Sequence, residues 1–242
     1  MAGRELPPSS PFASDDGSAD PAVAAALAAI AAGSGDVADL VAALPGTRVL
    51  VPVLAELEVA ETVLHGGHEH AVDKEASAGI VALSTPDGRT ALPVFTSVET
   101  MTRWRASARP VPTALERAAL SSVQEGWSLL VVDPGGPVTV QLPRPAVWAL
   151  AQQQPWRPAV LGGAVADDVR AAVAAALAPV PHVVAADAVP GTRAEVAVVV
   201  TLVAGLDRAA LDAVLGEVNA ALAADPVVAE RVDGLELRLR AA

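Results

Sequence analysis

The stretch Gly88–Trp104, "GRTALPVFTSVETMTRW", changes its period half-way along. From Thr90 to Phe95 it is a near-continuous apolar run of the kind that forms a buried strand. From Thr96 onward, Thr96 and Glu99 have the spacing of a capping box, which predicts a helix from Ser97 to about Arg105. A strand that passes directly into a helix is a unit of layered α/β or α+β domains, and the sequence on either side extends that pattern.

Upstream, "GIVALST" (79–85) and the turn residues Pro86, Asp87 and Gly88 make a hairpin with the first strand, and "RVLVPVL" (48–54) is a further apolar strand. Asp20 caps a helix that starts at Pro21 and stops at Gly33, and a second helix is expected over Val37–Ala43 before the Pro45–Gly46 turn. Downstream, Thr113 and Glu116 repeat the capping spacing and predict a helix ending at Gly126. "WSLLVVD" (127–133), "PGG" and "VTVQL" (138–142) then give two strands, and Pro145 opens a helix through about Gln153.

"QQQPWRP" (152–158) separates this region from a second αββαβ pattern. That pattern comprises a helix over Asp167–Ala178, a strand near His182–Ala186, "EVAVVVTLV" (195–203), a helix capped by Asp207, and "LELRLR" (235–240). The expected fold is α/β or α+β, with mixed sheets covered by Ala-rich helices in two domains, 21–153 and 159–242. Residues 1–20, rich in Pro, Ser, Gly and Asp, are expected as a disordered tail.

Aromatic residues make up only 2% of the 242 and tyrosine is absent, so the cores must be built from Val, Leu and Ala. A formal charge of −12 argues against nucleic acid as a partner, which requires a concentrated basic surface. Arg103, Arg105, Arg109 and Arg117 form a local basic stretch within that acidic chain. Without cysteine there are no disulfides, thiolate metal sites or Cys nucleophile. The longest uncharged apolar stretch, Pro21–Ala32, is shorter than the roughly 20 residues that span a bilayer. A soluble, cytoplasmic protein with no membrane association is expected.

At this point "LVPVL", the Gly88–Trp104 stretch, "LLVVDPGGPVTVQL" and "VDGLELRLR" together resemble the SseB family, particularly its actinobacterial members. The resemblance rests on the order of elements and covers about residues 36–242, most securely 36–153. It implies an SseB-like amino-terminal domain followed by an α/β domain, and it carries over no reaction, cofactor or catalytic residue set.

Among the residues themselves, "HGGHEH" gathers His65, His68 and His70 into six positions, where Glu69, Asp73 or Glu75 could add an oxygen ligand to a metal. The run lacks the H-E-x-x-H order, and Asp73 falls one position late for H-x-H-x-D-H. The alternative is a solvated glycine-rich loop. "GSGDVA" at Gly33 fits a dinucleotide pattern formally but follows a helix rather than a strand, Lys74 has no phosphate-cradling loop, and Ser34 has no nucleophile elbow.

"FTSVETMTRWR" is the stronger candidate for binding. Its helix amides, with Thr96 and Ser97, could hold an anion, Arg103 and Arg105 follow, and Trp104 could stack on a ligand. The structural alternative has Thr96 as the cap, Trp104 in the core and the arginines solvated. The expected function is therefore non-catalytic binding of an unknown protein partner or small regulator without a cofactor. A metal-dependent hydrolase using the His65–His70 loop is the alternative.

Overall fold

The computed structural model describes residues 12–54 and 80–242, and the fold is α+β with mixed sheets. The chain divides into two compact units, one of residues 1–143 and 147–155 and the other of 144–146 and 156–242.

The first unit opens with two capped helices, α1 (Pro21–Ala31) and α2 (Val37–Ala43). Asp20 accepts from the amides of Ala22 and Val23, and Asp36 forms a capping box with Asp39. Within the range expected as a tail, residues 12–20 are turns and bends, and Asp15 pairs with Arg48. Strand β1 (Arg48–Val53) is followed by the hairpin β2 (Leu83–Ser84) and β3 (Thr90–Val94), then by α3 (Val98–Trp104). Next come β4 (Arg109–Ala114), α4 (Leu115–Gln124), β5 (Leu129–Val132), β6 (Val140–Leu142) and α5 (Arg144–Ala151).

A four-stranded sheet runs in the order β2-β3-β5-β6, with β3 and β5 parallel and both outer pairs antiparallel. The crossover from β3 to β5 carries α3, β4 and α4. Because the two central strands are covered on both faces, Leu129–Val132 is buried at every position. β1 pairs antiparallel with β4 and touches the sheet through mutual backbone hydrogen bonds between Leu50 and Phe95 of 2.8 and 2.9 Å.

Two expectations fail around β4. Thr113 lies inside this strand rather than capping a helix, α4 starts after Ala114 without a side-chain cap, and Glu116 instead accepts from the amide of Gly46 at 2.6 Å. The strand itself went unpredicted because of Pro110 and Pro112. Both sit opposite residues of the Leu50 parity, Pro112↔Leu50 and Pro110↔Pro52. Leu50 turns its polar groups to Phe95, so these are the pairs in which no ladder N–H is needed.

The second unit begins with a short hairpin, β7 (Val160–Leu161) and β8 (Ala164–Val165), which the sequence did not suggest. It continues through α6 (Asp167–Leu177), β9 (Val183–Pro190), β10 (Val196–Leu202), α7 (Arg208–Ala224), the unpredicted α8 (Pro226–Arg231) and β11 (Leu235–Ala241). The sheet order is β11-β10-β9, parallel between β10 and β11 and antiparallel between β10 and β9. Val196, Val198, Val200 and Leu202 of the central strand meet Val169, Val173 and Leu177 of α6 and Val214, Val218 and Leu222 of α7, in a core without an aromatic ring.

Candidate functional site

The carboxyl ends of parallel β3 and β5 lie side by side, the place where open α/β sheets put their sites. β3 runs through Phe95 into the segment Thr96–Ser97, and β5 into Asp133, whose amide donates to the carbonyl of Val94 at 2.9 Å. Asp133 has φ +48° and is followed by Pro134, Gly135 and Gly136, so β5 ends abruptly and its carboxyl turns back under the junction.

Asp133 is 2% exposed and accepts three hydrogen bonds: from the amide of Thr96 at 2.8 Å, the hydroxyl of Thr96 at 2.7 Å and the hydroxyl of Thr100 at 2.8 Å. On the other side, Arg48 donates to the carbonyl of Thr96 at 2.6 Å while also holding Asp15 and the carbonyl of Ser18. That hydrogen bond from Arg48 keeps the Asp15 carboxyl below its ordinary range. Thr96 is thus fastened at its amide, hydroxyl and carbonyl by two chain segments remote in sequence.

The cap of α3 is one residue later than expected. Ser97 accepts from the amide of Thr100 at 3.1 Å, and the reciprocal partner at N3 is Thr100 rather than Glu99. Amides of the segment read as an anion site have partners within the chain at Thr96, Val98 and Thr100. Val98 N–H donates to the carbonyl of Gly17, Thr100 N–H to Ser97, and Thr96 N–H to Asp133. The buried negative group beside this helix start is therefore the protein's own Asp133, and the Ser97 hydroxyl serves as the cap.

At the other end of α3, Trp104 is half-buried against Phe95, ring centroids 5.3 Å apart, in a cluster with Leu50 and Met101. Its Cδ1 lies over Gly135, where an added Cβ would come within 3.6 Å. The guanidinium of Arg105 sits over the indole at 5.3 Å. Arg103 pairs with Glu99 at 2.7 Å in the open, and Arg109, past the Arg105–Ala108 turn, is exposed. The structure thus splits the five predicted residues, with Thr96 and Ser97 inside the junction and Arg103, Trp104 and Arg105 at the surface end.

Asp133 was missed from sequence because "VVDPGG" reads equally well as a simple turn. The only local signal is an acid at a strand end followed by Pro-Gly-Gly, and its partners lie 37 and 33 residues away. His65, His68 and His70 fall outside the described residues. Among the described residues no group of three or more His, Cys, Asp or Glu could hold a metal ion, and no helix is long and apolar enough to cross a membrane.

A mixed sheet with a strand-to-helix junction pinned at its carboxyl ends defines an α+β domain of the type the sequence resembled. The family model of the SseB protein N-terminal domain matches residues 23–149, and the chain belongs to the SseB family. Neither the curated proteins nor the solved structures provide a match.

Proposed function

We propose that this chain is a non-catalytic SseB-family protein of the cytoplasm that binds an acidic protein partner through Trp104, Arg105 and Arg109. The observation that carries this reading is the guanidinium of Arg105 over a half-buried indole at the end of α3. Tryptophan and arginine are the residues that most often dominate binding interfaces, because they offer a large rigid contact with a directed charge. The rest of the junction supports a structural role: its hydroxyls and the Asp133 carboxyl satisfy each other beneath the surface.

The test is capture from native lysate by the full chain and by the double variant Arg105→Glu, Arg109→Glu, after both are shown to unfold at the same denaturant concentration. One acidic protein held by the wild type and lost by the variant is the expected result. Equal capture by both refutes the surface. Zinc-dependent hydrolysis abolished by His68→Ala would instead make the protein an enzyme.

A further inference from the structure

We propose that β11 is a homodimer edge, on which a second copy of this chain adds its own β11 antiparallel about an axis at Leu237. β11 is the terminal strand of its sheet. Its even-numbered positions face β10: Val196 N–H donates to Gly234 O at 3.2 Å and Ala242 N–H to Leu202 O at 2.9 Å. Leu235, Leu237 and Leu239 therefore turn their N–H and C=O groups away from the sheet, and no hydrogen bond among the described residues takes them up. Other edges are blunted. β4 has Pro110 and Pro112, β2 is two residues long, β6 is three, and β9 ends in Pro190 with β8 packed beside it.

The sequence of this edge fits itself. Turned end for end about Leu237, Leu235–Leu239 (L-E-L-R-L) sets Leu235 opposite Leu239 of the partner subunit, Glu236 opposite the partner's Arg238, and Leu237 opposite the partner's Leu237. The three leucine positions are the ones with outward backbone groups, so each leucine pair would exchange both its hydrogen bonds, while the charged pairs fall at the closer, non-bonded positions. Sliding the pairing by two residues in either direction sets Arg238 or Glu236 against its own copy, so one register is selected.

The two faces agree with this arrangement. Leu235 and Leu239 are 36% and 44% exposed on the side of the sheet where Leu237 joins the helix-covered core. Leu235 borders a cleft of about 420 Å³ whose apolar lining includes Leu222, Val228, Val232 and Leu237, with Arg144, Asn219 and Asp233 as its polar part, and the partner's leucines would lie over its apolar side. On the opposite side one acid, Glu236, stands among Arg238 and Arg240. The strip is locally basic on a chain of net charge −12, which limits repulsion between copies where they would meet.

Sedimentation equilibrium of the full chain should give twice the 24.3 kDa chain mass. Leu239→Lys, at an exposed position, should weaken the dimer at least about tenfold while melting like the wild type at concentrations dilute enough for both to be monomeric, and adding Leu235→Glu should restore the dimer by pairing opposite charges across the axis. Since the chain has no cysteine, Leu237→Cys supplies a unique thiol. At the axis the two Cα atoms would stand about 5.5 Å apart, within disulfide range, so mild oxidation should link the subunits. Leu235→Cys, displaced from the axis, should remain unlinked. A wild-type monomer at high micromolar concentration overturns the proposal. So does a dimer indifferent to Leu239→Lys, a double variant that stays dissociated, or cross-linking at 235 but not at 237.

Discussion

Among the described residues each unit has one buried carboxyl that ties together distant parts of the chain, and the two are solvated in opposite ways. Asp133, 2% exposed, is held by neutral donors, the amide and hydroxyl of Thr96 and the hydroxyl of Thr100. Glu236, 7% exposed, is held by charge: Arg238 donates through Nε at 3.0 Å and Nη2 at 2.5 Å, Arg193 through Nε at 3.3 Å, and the amides of Thr192 and Arg193 complete the set. Arg193 reaches Glu236 from a turn where its side chain is 82% exposed, and Arg238 reaches it from two residues further along the same strand. At the junction the donors are short side chains and backbone, so the partner must be placed by the fold itself. Neutral cages fix geometry; arginine cages tolerate slack.

Breaking the neutral cage should have the largest effect. Asp133→Ala leaves the amide and hydroxyl of Thr96 buried without a partner and removes three bonds to one carboxyl, for an expected loss of about 3–5 kcal/mol in chemical denaturation. A loss below about 1 kcal/mol would show that the junction holds without it.

The charged cage should reveal itself in acid. Hydrogen bonding from Arg238 lowers the Glu236 carboxyl from 4.5 to about 2. The folded state therefore binds this proton more weakly than the unfolded chain. Its stabilising contribution is complete above pH 4.5 and disappears as the pH falls through about 2. Thermal melts across that window should show the wild type losing stability, while Glu236→Gln lacks this component and is already less stable at neutral pH.

Smaller effects sharpen the contrast between the inside of the junction and its surface. Trp104→Ala removes a half-buried ring that packs at a tilt against Phe95 and should cost about 2 kcal/mol, less than a fully buried tryptophan, measured by urea titration. Arg103→Ala breaks a pair whose side chains are 57% and 73% exposed and should stay within about 0.5 kcal/mol by the same titration.

Local chemistry explains what could be read from the sequence. Asp20 and Asp207 cap helices as expected, and the change of period after Phe95 marks the end of a strand and the approach of a helix. The capping residue of α3 was placed one position early because Thr96 and Ser97 are equally suitable hydroxyls. What separates them is Asp133, remote in the chain. β4 escaped because Pro110 and Pro112 count against a strand until the pairing of Leu50 with Phe95 shows which positions need no donor. The surface half of the candidate site, Arg103 to Arg105, was legible from composition, whereas the carboxyl beneath it depends on a contact between β3 and β5 that no local pattern encodes.

The family match begins at residue 23, yet the junction reaches further toward the amino terminus. Val98 N–H donates to Gly17 O at 2.9 Å, a Cβ at Gly17 would meet Val98 Cγ2 at 2.8 Å, and Arg48 holds both Asp15 and the Ser18 carbonyl. Anyone excising the domain at its recognised boundary would therefore cut away the outer wall of the junction, leaving Arg48 without its acid and Val98 with a bare amide. Fragments for expression should retain the chain from Phe12, and amino-terminal tags belong upstream of it, where they leave the clasp around Arg48 whole.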